Sequence, residues 1–396
     1  MSAASLDGIL GSGRAARLRI WLRRAWALTV KEYIQLFRDT VLVLFMAYAF
    51  TLDVYVAGVG VNWQLNNAGL GVHDADKSTA SREVAGRFRA PYFRNLGSVA
   101  TREAGQRLLD QGGLMVVLDF PPDFGADILR GRQTAIQMQV DTANSAIGSL
   151  ATSYGGEIVG RYGLERALNV PELNVDKIHG VPFIIDETRA WYNQNQEDSW
   201  FMALAEIISN MTLLSILLPA AALAREKERG TVEQLMVSPL SPVQILAPKI
   251  LAMGSVILAG LAAGVFAVVI GVFHVPARGS LLLFFAVSAL YIAFTAGIGL
   301  LIATIARNLA QVGMLTVLVF APMIFLSGAW TPPEAMPSWM RLLMDCLPMH
   351  YMLDAGFGIL LKGQGVGELW RELLGIIGLG APILALSLWR FRRQFR

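Results

Sequence analysis

One cysteine, Cys346, stands in 396 residues. No disulfide can form within the chain, and any part that folds outside a membrane is held by packing alone. Charge is scarce as well: 16% of the residues are Asp, Glu, Lys or Arg against 54% hydrophobic, with a mean hydropathy of +0.49. That balance excludes an ordinary soluble domain. The net charge of +3 gives no reason to expect a nucleic-acid partner. His73, His179, His274 and His350 are scattered without metal-ligand spacing. With no His-Glu-x-x-His run and no cysteine pair, no metal is expected. Neither a Gly-x-x-x-x-Gly-Lys-Ser/Thr loop nor any Gly-Lys dipeptide occurs, so the chain does not cradle ATP phosphates in the usual way. No Gly-x-Ser-x-Gly nucleophile elbow is present either.

What the sequence has is long apolar runs. Six approach the length a helix needs to cross a bilayer: Thr40 to Val61, Trp200 to Ala224, Ile250 to Phe273, Leu281 to Ala306, Leu309 to Trp330 and Leu373 to Trp389. The first contains Asp53 and the last is the shortest. Arg14, Arg17, Arg19, Arg23, Arg24, Lys31 and Arg38 precede the first run, and Arg390, Arg392, Arg393 and Arg396 follow the last. Arg225, Lys227, Arg229, Lys249 and Arg307 fall in short loops on the same side. The positive-inside rule therefore puts both termini of a multi-pass membrane protein in the cytoplasm. The first run starts far from Met1 and lacks a small-residue cleavage site after it, so it reads as an uncleaved signal anchor.

Residues 1–39 read as a cytoplasmic interfacial helix. Leu18, Trp21, Leu22, Trp26, Leu28, Tyr33, Leu36 and Phe37 recur at roughly helical spacing among arginines. The alternative is a plain basic flank to the first span, 40–61. Residues 62–199 are too polar to cross a membrane and are long enough for one small α+β domain outside it. Leu114 to Phe120 and Ala135 to Val140 read as strands. Arg82 to Phe88, Arg102 to Gln111, Asp123 to Leu129 and Ile147 to Leu168 read as helices. In 331–371, Trp339 to Leu347 and Tyr351 to Leu361, separated by Pro348, suggest an outer re-entrant hairpin; a solvent-facing cap is the alternative. The fold expected is thus a mostly α polytopic membrane protein, with six transmembrane helices and an α+β extracytoplasmic domain between the first and second.

The stretch Ala224 to Pro242, AREKERGTVEQLMVSPLSP, packs three basic and three acidic residues between two apolar runs. Such charges must lie outside the hydrocarbon, which places the segment along the cytoplasmic surface. Gly230 supplies a hinge and Thr231 an N-cap for a short helix over Val232 to Val237, with Leu235 and Met236 as an apolar face. A mixed-charge rim around an apolar centre suits a partner protein; orienting the spans would need only the basic residues.

This stretch resembles the signature of the permease subunit of type-2 ATP-binding-cassette exporters, multidrug-efflux-like branch. VHDADKSTASRE at 72–83, FPPDFGADILRGRQTAIQMQVDTANS, WYNQNQEDS, LSGAWTPPEAMP, LPMHY and LLKGQG are similar to other motifs of that family and follow in the same order. Two places depart from it: Ala205 and Glu206 replace a Pro-Gly pair, and Pro248 precedes Lys249 where Gly-Lys is common. The resemblance implies that 225–240 is a coupling helix seated on an ATPase subunit. The residues concerned are Arg225, Glu226, Lys227, Glu228, Arg229, Gly230, Thr231, Glu233, Gln234, Leu235 and Pro239. It further implies that ATP and Mg are bound by that separate subunit, so this chain is no enzyme. A second permease copy, identical or similar, completes the complex, and the outer domain either hands cargo to a periplasmic adaptor or gates the path in the inner membrane.

Two acids remain within the apolar runs. At 1.5 Å per residue, Asp53 lies about 12 Å and Glu206 about 9 Å from the outer ends of their spans. A carboxylate at such depth needs protein, water or a ligand around it. Asp53, Glu206 and Asn210 are thus candidates for a substrate path taking hydrophobic, amphiphilic or cationic compounds; structural hydrogen bonding among them is the alternative. Beyond efflux of such compounds, export of a lipid or polymer, an ion-coupled carrier, and a membrane sensor with an extracytoplasmic ligand-binding domain stay open. Short outer loops would favour the polymer, and inverted repeats the carrier. The sequence shows neither.

Overall fold

The computed structural model describes residues 14–60, 65–142, 145–167, 197–231, 240–331, 333 and 336–394. The chain forms two compact units, Met1–Val61 with Arg189–Arg396, and Asn62–Thr188. In the first, α1 (Arg14–Arg38) buries Ala25, Thr29, Glu32 and Leu36 along one stripe and exposes Leu22, Trp26, Ile34 and Phe37. Asp39 then ends α1 and starts α2 (Thr40–Phe50), its carboxylate accepting from the Leu42 N–H at 3.2 Å. The first expected span is not one continuous helix. Thr51, at φ −121° and ψ −77°, separates α2 from α3 (Leu52–Gly60).

The second unit runs β1 (Ala68–Asp74), α4 (Thr79–Arg87), β2 (Phe93–Ser98), α5 (Arg102–Asp110), β3 (Val116–Phe120), α6 (Phe124–Leu129), β4 (Gln137–Val140) and α7 (Ser145–Ala167). The sheet order is β2-β1-β3-β4, with β1 parallel to both neighbours and β4 antiparallel to β3. Every residue of β3 is buried, as expected for a central strand covered on both faces. Leu70, Val72, Val116, Leu118 and Phe120 face Val84, Phe88 and Phe93 in the main core. On the opposite face Asp119, buried, binds His73 at 2.6 Å and Arg102. The strands at 114–120 and 135–140 and the helices around them agree with the sequence, but β1 and β2 carry no β-branched alternation to announce them. β1 exists because its glycines admit neighbours: a Cβ on Gly71 would meet Leu114 and Val99.

In the first unit the chain continues with α8 (Asp198–Glu228), α9 (Pro242–Gly264) closed by a π turn at Val265–Ile270, α10 (Leu281–Ile305), α11 (Leu309–Phe325), α12 (Ser338–Asp345), α13 (Pro348–Phe357) with a π turn at Gly358–Lys362, and α14 (Trp370–Gln394). Among the described residues five stretches are long and apolar enough to cross a membrane: Thr40–Gly60, Asp198–Glu228, Pro242–Ile270, Leu281–Ile305 and Trp370–Arg393. The expected run Leu309 to Trp330 differs. Its helix stops after 17 residues at Phe325, because Gly328 at φ +96° turns the chain. In the hairpin Pro348 does not merely separate two helices; it occupies the first turn of α13, where its missing N–H is harmless.

α8 is the centre of this unit, with 89% of its most apolar window buried. Thr212 meets Tyr291 at 2.9 Å and Ser215 meets Thr295 at 2.7 Å, pinning α8 to α10 through hydroxyl pairs. Between them the backbones nearly touch, and a Cβ on Gly299 would collide with the carbonyl oxygen of Ile216. Gly299→Ala is therefore expected to destabilise the chain by roughly 1–3 kcal/mol through overpacking, read as a lower melting temperature in detergent.

Candidate functional site: the charged end of the central helix

Arg225 to Glu228 do not form a separate surface helix; they are the last turn of α8. At 3.6 residues per turn, four consecutive side chains leave a helix in four directions. Each meets a different element. Arg225 Nη1 donates to Asp39 Oδ2 at 3.1 Å, where α1 passes into α2. Glu226 Oε1 accepts from Lys31 of α1 and from Lys249 of α9, the latter at 2.9 Å. Lys227 Nζ donates to the carbonyls of Ala303 at 2.7 Å and Ala306 at 3.2 Å, satisfying the open end of α10 with a cation. Glu228 Oε1 accepts from the Leu309 N–H at 2.7 Å and places a carboxylate at the start of α11.

The turn then closes. Arg229 is exposed and caps α8, Gly230 takes φ +67°, and Thr231 Oγ1 donates back to the Glu226 carbonyl at 3.1 Å. Thr231 thus finishes α8; the short helix expected over Val232 to Val237 lies outside the described residues, as do Glu233, Gln234, Leu235 and Pro239.

Glu226 is the main departure from the sequence reading. Instead of facing outward it is 3% exposed. Lys249, 1% exposed, bridges it to Glu32 at 2.7 Å, and Lys31 stands 3.6 Å from Glu32. The four charges form a closed ring of alternating sign. Removing such charges from water costs several kcal/mol each, and only full pairing offsets it. Among the described residues, Glu32 Oε2 and Glu226 Oε2 have no hydrogen-bond partner. Sequence reasoning missed Glu32 and took Lys31 and Lys249 as orientation markers. The available signals were an acid inside a basic helix and a lysine within an otherwise apolar one.

A second constellation joins the residues expected on the substrate path. Asn210 Nδ2 donates to the Ala49 carbonyl at 2.8 Å and to Asp53 Oδ2 at 2.9 Å, and Tyr48 donates to Asp53 Oδ1 at 3.2 Å. The break at Thr51 puts Asp53 in the first turn of α3. Glu206, one turn from Asn210 on α8, stands beside Asp53. The structure therefore gathers Asp53, Glu206 and Asn210.

The chain matches the family described as ABC-2 family transporter protein over residues 40–389. It is similar to the inner membrane transport permease YhhJ of Escherichia coli (strain K12), 32% identical over 380 residues, which cover 94% of this chain and 98% of the relative. Two relatives from the same organism carry the name probable multidrug ABC transporter permease. YbhR is 27% identical over 373 residues, covering 94% of this chain and 99% of its own; YbhS is 27% identical over 378 residues, covering 94% and 97%.

Lys249→Ala leaves two buried carboxylates short of a partner and is expected to cost about 3–5 kcal/mol. Lys227→Ala removes only a helix-end cation and is expected to cost about 0.3–1 kcal/mol. Thermal unfolding of the purified variants in detergent measures the contrast.

Proposed function

The chain belongs to the ABC-2 transporter family, and from that premise we propose that it is the membrane-spanning permease subunit of an ATP-driven exporter. The observation that supports this best is the last turn of α8. Four adjacent charged residues tie one helix end to five others. A push on the segment that follows is thereby shared among most of the helical unit.

In this reading 225–240 faces the cytoplasm and couples to ATPase subunits that bind ATP and Mg, and hydrolysis happens there. Both termini are cytoplasmic in the inner membrane. α11 completes six spans, the α/β unit is extracytoplasmic, and residues 331–371 form the outer hairpin. Two copies, or this chain and a similar permease, enclose the path. ATP-driven closure of the ATPases shifts that dimer between states of differing substrate affinity. The cargo is a hydrophobic, amphiphilic or cationic compound. The names of two relatives as multidrug permeases support efflux. Asp53 and Glu206, with the neutral donors Asn210 and Tyr48 on Asp53, support the cationic member of that class. A periplasmic adaptor receiving the cargo is consistent with an outer domain of this size.

Purification of the tagged chain from its native membranes in mild detergent tests the assignment. A stoichiometric subunit bearing a phosphate loop is expected, and Glu233→Lys is expected to lose it; a clean preparation without an ATPase would overturn the exporter. In the complex, Asp53→Asn with Glu206→Gln is expected to lower ethidium-stimulated ATP hydrolysis by about tenfold while basal hydrolysis persists. Equal stimulation in both proteins would leave the acids a structural role.

A further inference from the structure

We propose that Lys31, Glu32 and Lys249 are positioning residues for ATP coupling: with Glu226 they form an ion ring, buried at Glu32, Glu226 and Lys249 and half-exposed at Lys31, that makes α1, α9 and the end of α8 move as one body. The inference rests on the exporter reading and extends it to three residues that no contact with an ATPase would identify.

The argument begins with connectivity. Glu226 contacts Lys31 and Lys249, and Glu32 contacts the same two lysines. Each charge has two neighbours of opposite sign within the ring. Glu226 belongs to α8, Lys249 to α9, and Lys31 with Glu32 to α1, so three elements meet at one neutral ring. Drawing Glu226 away would take one of its two partners from Lys249, which is nearly inaccessible to water, and one from Lys31. Carrying all three helices along keeps every pair. The free Oε2 atoms on both glutamates add a second acceptor for each lysine, so small helix shifts can exchange partners within the ring without exposing it. Lys227 and Glu228, one and two residues on, extend the same body to the junction of α10 and α11.

Alternation makes a sharp requirement. Exchanging a single pair, Glu226→Lys with Lys249→Glu, keeps the net charge but sets Lys31 against the new cation and Glu32 against the new anion. Inverting all four, Lys31→Glu, Glu32→Lys, Glu226→Lys and Lys249→Glu, restores alternation. A Glu226 whose role was to touch the ATPase would not tolerate inversion; a ring residue would.

The test uses the complex with its ATPase subunits in lipid nanodiscs, in a Cys346→Ser background. Spin labels go on Leu22→Cys of α1 and Leu251→Cys of α9, both exposed positions. With the ring intact, one narrow distance distribution is expected, unchanged between the nucleotide-free and ATP–vanadate states. Lys249→Met and the single-pair exchange should broaden it at least about twofold or make it nucleotide-dependent, and the fourfold inversion should narrow it again. A distance that changes with nucleotide in the unaltered ring overturns the proposal. So does a narrow distribution in Lys249→Met, or an inversion that behaves no better than the single exchange. If the broken rings are lost from the membrane, recovered yield decides instead: inversion must restore it and the exchange must not. Absence of an ATPase from the unaltered chain defeats the exporter reading alone, since the nucleotide-free widths still test the ring.

Discussion

A charge taken out of water has to meet its opposite, and in this chain that rule fixes where three helices come together. Glu226, Lys249 and Glu32 are buried so completely that none is tolerable without the others. Their meeting point determines how α1 lies along α9 and where α8 ends. The neighbouring contacts follow from it. Once Glu226 is anchored, the helical period aims Arg225 at the α1–α2 corner, Lys227 at the end of α10 and Glu228 at the start of α11.

The two charged sites differ in balance. The ring sums to zero and has its cations built in. The group around Asp53 holds two acids, and among the described residues the donors to Asp53 are the neutral Asn210 and Tyr48. A balanced ring holds structure; an unbalanced acidic pair leaves room for a positive charge from elsewhere. The same helix, α8, carries both, with Glu226 at one end and Glu206 a few turns away. The two sites thus lie on one helix, with Pro219 between them.

Much of this was legible beforehand. Apolar length gave the long helices, because the bilayer leaves few options for a run of that kind. The 114–120 strand was visible from its Val-Val-Leu core. β1 and β2 were not, since glycine and polar residues fill them and only tertiary contact makes them strands. The signature 225–240 is legible as a charged segment, but the direction of each side chain in 225–231 is not. Sequence counts Glu226 as one charge among six and carries no record that Lys249 and Glu32, distant in the chain, close around it. The Asp53–Glu206–Asn210 cluster was foreseeable from depth alone, whereas the break at Thr51 that aims Asp53 was not.

The burial of α8 has a mechanical consequence. A helix facing lipid can tilt by exchanging one fluid neighbour for another, and its motion dissipates there. α8 has almost no such face: hydroxyl pairs hold it to α10, and the bare backbone of Gly299 lies against Ile216. It behaves as an axle in a fitted bearing. Rotation or thrust has no slack in which to be lost, so displacement at one end must appear in the helices around it.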